Sequence, residues 1–137
     1  MRIAVVGMGK IGLPLAVHYA RRGHSVVGVD VNPQTVALIN GGAEPFPGEA
    51  HLAEYLAPLA SSGALRATTE YAEAIPGADA VVMVVPLVVD DESRPDFRVM
   101  DAATRSMAAH LTPGTLVSYE TTLPVGTTRG RYAPLIE

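Results

Sequence analysis

A buried strand, a glycine-rich turn and a helix follow one another at the start of this chain, and this succession constrains the fold most. Residues 3–6 form a continuous β-branched and apolar run, which is typical of a strand buried on both faces of its sheet. The run ends at Gly7-Met8-Gly9-Lys10-Ile11-Gly12, and apolar residues then recur at helical spacing until Gly23. A strand buried on both faces needs helical layers on either side of the sheet, so an α/β fold is expected.

The rest of the chain alternates between predicted strands and helices. Further strands are predicted over residues 25–29, 65–68, 80–85 and 116–119, and helices over 13–22, 33–40, 52–59 and 99–111, with a helical turn at 70–75 and a helix from about residue 127. Parallel strands joined by helical crossovers are the economical topology for this pattern. We predict one Rossmann-type, doubly wound domain over residues 1–137, with parallel strands in the order 3-2-1-4-5 and a polar, acidic loop at 86–97.

The glycine motif predicts a binding site for the pyrophosphate of a dinucleotide. Gly7 permits the tight turn after the strand, Gly9 lets the phosphates approach the backbone, and Gly12 lets the helix pack closely. The phosphates would then lie at the helix N-terminus, where free N–H groups and the helix dipole favour anions.

Asp30 predicts which dinucleotide is bound. It lies eighteen residues after Gly12, at the end of the second predicted strand. A carboxylate there accepts hydrogen bonds from the adenosine ribose hydroxyls and repels a 2′-phosphate. Residues 31–34 contain no Arg or Lys that would attract that phosphate. NAD is therefore expected rather than NADP, although a turn or helix-capping role for Asp30 remains an alternative.

Composition argues against several other classes of protein. The net charge is −4, no Lys/Arg cluster stands out, and two Phe with no Trp leave no platform for stacked bases, so nucleic acid is not expected as a partner. The absence of Cys excludes thiol catalysis within these residues. The longest apolar run, residues 78–89, is too short to span a bilayer, and the four His show no metal-ligand spacing. We expect a cytoplasmic protein without a metal site.

Three segments resemble the nucleotide-sugar dehydrogenases, the UDP-glucose and GDP-mannose dehydrogenase family. Residues 7–16 (GMGKIGLPLA) resemble the family's G-x-G-Y-[IV]-G-L-P-x-A opening, with Lys10 in place of Tyr. Residues 85–88 (VPLV) stand where the family has V-P-T-P, and a P-D pair follows at 95–96. Residues 120–128 (ETTLPVGTT) resemble its E-S-T-x-P-x-G-T-T segment. Residues 50–51 (AH) depart from the family's Pro-Gly.

The resemblance implies an activity for a longer enzyme. The family oxidises the C6 alcohol of a UDP-sugar to a carboxylate with two NAD, and its later domains supply a catalytic Cys, a Lys and an Asn. We accordingly expect this chain to be the N-terminal, NAD-binding part of such an enzyme and to have no turnover alone. Its partner would be the UDP-sugar, and any homo-oligomer would form through the further domains.

The resemblance also implies site residues beyond the glycines and Asp30. Expected cofactor contacts are Lys10, Ile11, Thr35, Val85, Pro86, Leu87, Thr121 and Thr122. Thr122 matches a family Thr near the nicotinamide, whose hydroxyl holds the water that hydrolyses a thioester. Glu120 ends a strand at the carboxyl edge of the sheet, where α/β active sites lie, and is a second catalytic candidate.

Two other functions remain open from the sequence. A 3-hydroxyacid or 6-phosphogluconate dehydrogenase opens with a similar domain, but such enzymes usually carry G-x-G-x-M-G, and Ile11 stands at the position of that Met. A stand-alone dinucleotide-binding module without catalysis fits the short length and the absence of Cys.

Overall fold

Five parallel strands form the central sheet of the computed structural model, which describes all 137 residues. The elements are β1 (Arg2–Val6), α1 (Gly12–Arg21), β2 (Ser25–Val29), α2 (Pro33–Asn40), α3 (Leu52–Ser62), β3 (Leu65–Thr68), α4 (Tyr71–Ala74), β4 (Ala80–Met83), β5 (Val88–Val89), β6 (Pro95–Asp96), α5 (Arg98–Ala108), β7 (Leu116–Tyr119), a π-helical segment (Thr128–Tyr132) and α6 (Ala133–Ile136). The order in the sheet is β3-β2-β1-β4-β7, which confirms the predicted order because β7 is the fifth parallel strand.

The two faces of the sheet carry separate apolar cores. On β1, Ile3 and Val5 face one core, which α1 and α3 complete. Ala4 and Val6 face the other, where α5 contributes Met100, Met107 and neighbouring residues. Alternate side chains of one strand thus enter two helical layers, which confirms the doubly wound architecture predicted from the apolar run.

Helix α2 begins as its sequence predicts. The Asn32 side chain accepts a hydrogen bond from the Gln34 N–H at 2.9 Å, and Pro33 occupies the first helical position. The helix ends at Asn40, and Gly42 then adopts a positive φ of 76°. The N-cap residue Asn32 lies two residues after Asp30 and donates its N–H to that carboxylate, so the start of the helix contributes to the local geometry around Asp30.

The prediction of a loop over residues 86–97 is wrong in part. Val88–Val89 and Pro95–Asp96 pair as a short antiparallel hairpin. The Asp90 carboxylate closes its turn by accepting from the N–H groups of Glu92 and Arg94, both at 2.9 Å. Strands of two residues are too short to leave an alternating pattern, and this explains why the sequence did not reveal them.

Strand β7 lies at the edge of the sheet and is only partly covered. Leu116 is exposed, and the following three residues are half-buried. The strand is therefore less buried than its neighbour β4, whose four residues are all buried.

No helix in the structure has both the length and the apolar character needed to cross a membrane.

Candidate functional site

A cleft of about 760 Å³ opens at the carboxyl end of the central strands. Its walls come from the ends of β1 and β2, from the segments that follow β1, β2 and β4, and from α4 and α5. The lining residues are Val6, Gly7, Gly9, Val29, Asp30, Val31, Tyr71, Val84, Val85, Pro86, Arg98, Val99, Ala102, Ala103 and Ser106. In open α/β sheets this edge is where ligands bind.

The three glycines of the turn have different steric roles. Gly7 adopts φ +94°, and a Cβ there would lie 3.1 Å from the Val84 carbonyl oxygen. A Cβ on Gly12 would lie 1.7 Å from the Gly7 carbonyl oxygen, so no other residue fits while the turn keeps its shape. A Cβ on Gly9 would meet nothing within 4 Å. Gly7 and Gly12 therefore maintain the turn, whereas Gly9 leaves open space beside it.

The N-terminus of α1 presents unsatisfied donors beside that space. The N–H groups of residues 9–12 donate to no acceptor in the chain, and the first helical bond runs from the Leu13 N–H to the Gly9 carbonyl at 3.0 Å. Four free N–H groups at the start of a ten-residue helix form a suitable cradle for a phosphate. The Lys10 and Ile11 side chains are exposed next to it.

Asp30 is held at the wall of the cleft by two backbone donors. One carboxylate oxygen accepts from the Met8 N–H at 3.0 Å and the other from the Asn32 N–H at 2.9 Å. A carboxylate has about four lone-pair positions, so two remain for a ligand. The same side chain thus fixes the glycine turn and presents acceptors to the cleft, and these two roles do not exclude each other.

The sequence reasoning missed the wall formed by Tyr71 and helix α5. Burial, and next the charge of Asp30, raise the pKa of the Tyr71 phenol, so the hydroxyl stays protonated and can donate. Arg98, Ala102 and Ser106 recur every fourth residue and share one face of α5. Ala102 and Ser106 are small and lie four residues apart, and this spacing is the sequence signal that could have predicted a cleft wall on α5. The Arg98 guanidinium is paired with Asp96, with Nε 2.9 Å from Oδ1.

The segment after β7 approaches the cleft without lining it. The Thr121 hydroxyl donates to the Val85 carbonyl at 2.8 Å. Because Val85 lines the cleft, this bond places the segment at the edge of the cleft. The Glu120 carboxylate is exposed and accepts from the Ser118 hydroxyl at 2.6 Å. The Thr122 side chain is exposed as well.

The expected contact residues therefore fall into two groups. Gly7, Gly9, Asp30, Val85 and Pro86 line the cleft together. The others lie outside its lining, and they are Lys10, Ile11, Gly12, Thr35, Leu87, Glu120, Thr121 and Thr122.

An ion pair connects the π-helical segment to α5. Arg131 donates from Nε and Nη2 to the two carboxylate oxygens of Asp101, at 2.8 and 2.6 Å. The hydrogen bonds from Arg131 hold the pKa of the Asp101 carboxyl below its usual range. Beside the pair, the Tyr132 ring stacks on Tyr119 with centroids 4.7 Å apart, and burial raises the pKa of Tyr132 to about 12.

No group of three or more His, Asp or Glu side chains is placed to hold a metal ion. The features present are a parallel doubly wound sheet, a glycine turn with free N–H groups, and a carboxylate at the end of β2. Together they define a dinucleotide-binding Rossmann domain.

Comparison with known proteins identifies the family. The NAD-binding domain of the UDP-glucose/GDP-mannose dehydrogenase family matches residues 1–137. The chain therefore belongs to the UDP-glucose/GDP-mannose dehydrogenase family, as the three motifs indicated. The hydroxyacid dehydrogenase alternative is not favoured by this match.

The relatives are nucleotide-sugar dehydrogenases. UDP-N-acetyl-D-mannosamine dehydrogenase of Escherichia coli K12 is 40% identical over 126 residues, which are 92% of this chain and 29% of that protein. NDP-N-acetyl-D-galactosaminuronic acid dehydrogenase of Ralstonia nicotianae is 42% identical over 126 residues, again 92% and 29%. A ternary complex of GDP-mannose dehydrogenase from Pseudomonas aeruginosa superposes with a TM-score of 0.92 at 28% identity, covering 100% of this chain and 32% of that one. The chain spans less than one third of the length of each.

Proposed function

We propose that this chain is the NAD-binding domain of a longer UDP-sugar 6-dehydrogenase, which oxidises the C6 alcohol of its substrate to a carboxylate with two NAD. The family membership supports this proposal, together with the cleft at the carboxyl edge of the sheet. The sequence likeness to UDP-N-acetyl-D-mannosamine dehydrogenases makes that UDP-sugar the first substrate to test.

The residues present fit a dinucleotide at three points. The free N–H groups of residues 9–12 would hold the pyrophosphate, and the space beside Gly9 admits it. The two remaining acceptor positions of Asp30 would bind the hydroxyls of the adenosine ribose. When bound, the nicotinamide supplies a hydride acceptor.

The position of Asp30 is the single observation that supports NAD over NADP. A 2′-phosphate on the ribose would meet this carboxylate, and residues 31–34 offer no cation to offset the repulsion. The cation in the cleft lining, Arg98, is already paired with Asp96. NAD(H) is therefore expected to bind more tightly than NADP(H).

Titration calorimetry of the 137-residue chain with both cofactors tests the preference. Asp30→Ala should weaken NAD binding by about 1–2 kcal/mol, the scale of a lost charged hydrogen bond, while NADP binding changes less. The ratio of the two affinities is the informative quantity, because loss of the Met8 bond disturbs the turn for both cofactors alike. Asp30→Asn keeps the side-chain shape, removes the charge and retains one acceptor oxygen for the two backbone N–H groups, so it is the milder companion variant. Equal affinities in the unmodified chain would refute the assignment.

Thr122 is proposed to hold the water that hydrolyses a thioester in the second oxidation step. Its hydroxyl can donate to and accept from one water, and it follows a strand whose carboxyl end lies at the same edge of the sheet as the cleft. Glu120, two residues earlier, adds a carboxylate at the same edge. The thiol that forms the thioester would come from outside residues 1–137, because this chain contains no Cys.

An assay of the full-length enzyme tests the activity. With UDP-N-acetyl-D-mannosamine as substrate, two NADH should form for each sugar converted to its carboxylate. One NADH per sugar with aldehyde accumulation would argue against the four-electron oxidation. No NADH with any UDP-sugar, despite tight NAD binding, would favour the non-catalytic binding module.

A further inference from the structure

We propose that Arg131 and Asp101 are positioning residues, whose ion pair holds the segment of residues 120–127 against helix α5 and thereby sets the position of the Thr122 hydroxyl. This inference rests on the role proposed for Thr122 above.

The geometry of the pair restricts the orientation of both side chains. Two parallel N–H···O bonds of 2.8 and 2.6 Å join the planar guanidinium of Arg131 to the planar carboxylate of Asp101. Such bidentate pairs add directional specificity to their charge attraction. The guanidinium also lies 4.4 Å from the centroid of the Phe97 ring, and Asp101 is only 8% exposed. A shift of the Arg131 backbone would therefore break several contacts at once.

Both ends of the 120–127 segment are tied to the same helix. At its start, the Tyr119 hydroxyl is 2.9 Å from the Thr104 hydroxyl on α5. Beyond its end, Arg131 is bonded to Asp101, also on α5. The stacked rings of Tyr119 and Tyr132 connect the two attachments, with an interplanar angle of 10°. Because α5 also lines the cleft, these attachments relate the segment to the cleft wall.

Between its attachments the segment has few hydrogen bonds of its own. Thr121 is bonded to the Val85 carbonyl, and the Thr127 N–H donates to the Pro124 carbonyl at 3.1 Å. Thr122, Pro124 and Val125 are exposed. Leu123 is half-buried and packs against the core that contains Met100 and Met107 of α5. The location of Thr122 consequently depends on how the segment fits against α5 as well as on the Thr121 bond.

Stability alone is a weak reason for this ion pair. Asp101 is buried, but the Arg131 side chain is 44% exposed, and ion pairs that are open to water contribute little stability. Apolar residues of similar volume often stabilise a fold equally well. What apolar residues would not reproduce is the orientation that two hydrogen bonds impose. The pair is therefore better explained by what it orients.

A double-mutant cycle in the full-length enzyme tests the inference. Single-turnover thioester hydrolysis and the KM for NAD are measured for Arg131→Met, Thr122→Ala and the double variant. Arg131→Met should slow hydrolysis by about tenfold, since misplacement of a positioned group costs rate rather than binding, with the NAD KM changed by less than about twofold. In the Thr122→Ala background the same substitution should cost less than about twofold, because the group it positions is gone.

Two further variants separate positioning from simple loss of structure. Asp101→Leu/Arg131→Met removes both charges and leaves no buried charge unpaired, so it should fold, as circular dichroism would show, yet still hydrolyse slowly. Arg131→Lys keeps the charge without the two-bond fork and should give an intermediate rate. Arg94→Met, which breaks the exposed pair with Asp90, is the control and should leave hydrolysis unchanged.

The possible outcomes are distinct. Normal hydrolysis in the folded Asp101→Leu/Arg131→Met variant would overturn the inference. Equal losses from Arg131→Met in both backgrounds would also overturn it, because additivity indicates a structural effect independent of Thr122. Normal hydrolysis in Thr122→Ala would instead overturn the role of Thr122 itself, and this inference would fall with it.

Discussion

The two regions proposed to meet the cofactor are held by different kinds of contact. In the glycine turn, backbone groups of residues 7–13 form the site, and Asp30 is the one side chain that holds it, through the Met8 N–H. The 120–127 segment is held by the side chains of Thr121 and, beyond its end, of Arg131. Their partners Val85 and Asp101 lie 36 and 30 residues away. Substitutions in the turn should therefore disrupt it through steric clashes within the turn. The position of the 120–127 segment should instead be lost when its distant side-chain partners are removed.

Substitution of Gly12 is expected to have the largest effect. In Gly12→Ala the new Cβ would lie 1.7 Å from the Gly7 carbonyl oxygen, and backbone cannot yield as a flexible side chain can. We expect a loss of about 3 kcal/mol or more in the free energy of unfolding, at the upper end of overpacking effects, with dinucleotide binding lost too. Urea unfolding followed by circular dichroism measures the change.

Gly9→Ala is the matched control in the same turn. Its Cβ would meet no protein atom within 4 Å, so stability should change by less than about 1 kcal/mol. NAD affinity should nevertheless fall by about tenfold or more, because the methyl group occupies the space proposed for the pyrophosphate. Equal stability losses in the two variants would show that the turn is not limited by the contact between Gly12 and Gly7.

Thr122→Ala should have an intermediate effect, and on turnover rather than on binding. If the hydroxyl orients the hydrolytic water, the kcat of the full-length enzyme should fall by about tenfold or more while the Kd for NAD stays within about twofold. Calorimetry measures the Kd for NAD, and single-turnover experiments measure the rate of hydrolysis. A rate within about twofold of normal, roughly 0.4 kcal/mol, would make Thr122 an ordinary loop residue.

The smallest expected effect is a loss of stability at acid pH, caused by protonation of Asp101. Arg131 lowers the pKa of Asp101 from its ordinary value near 3.8, so the pair stabilises the folded state above that pH. The contribution is lost as the pH falls through the lowered value. Between pH 7 and pH 3, unfolding midpoints should therefore drop more for the unmodified chain than for Asp101→Asn, which lacks the pair at both values.

Asp90→Asn provides the exposed counterpart. Hydrogen bonds from Arg94 also lower the pKa of Asp90, but both side chains of that pair are solvent-exposed and screened by salt. The pH dependence of its unfolding should match that of the unmodified chain. If Asp90→Asn and Asp101→Asn reduced the pH dependence equally, the burial of Asp101 would have no energetic consequence.

Much of this protein follows from its sequence by local rules. The parallel order of the strands follows from strand–helix alternation and from the handedness of crossovers. The glycine turn and the capping of α2 by Asn32 depend on residues within a few positions of one another, and backbone sterics determine them directly. The nearness of Asp30 to the turn follows from the pairing of β1 with β2.

Tertiary packing decided the remainder of the site. The placement of Tyr71 and the small-residue face of α5 on the cleft depends on how two helices on the same face of the sheet pack against it, and periodicity within one element does not encode that distance. The Arg131–Asp101 pair joins residues 30 positions apart, and exposed and buried carboxylates look alike in sequence. Local chemistry thus determined the region proposed for the pyrophosphate, whereas the Thr122 region depends on which distant side chains the folded layers bring into contact.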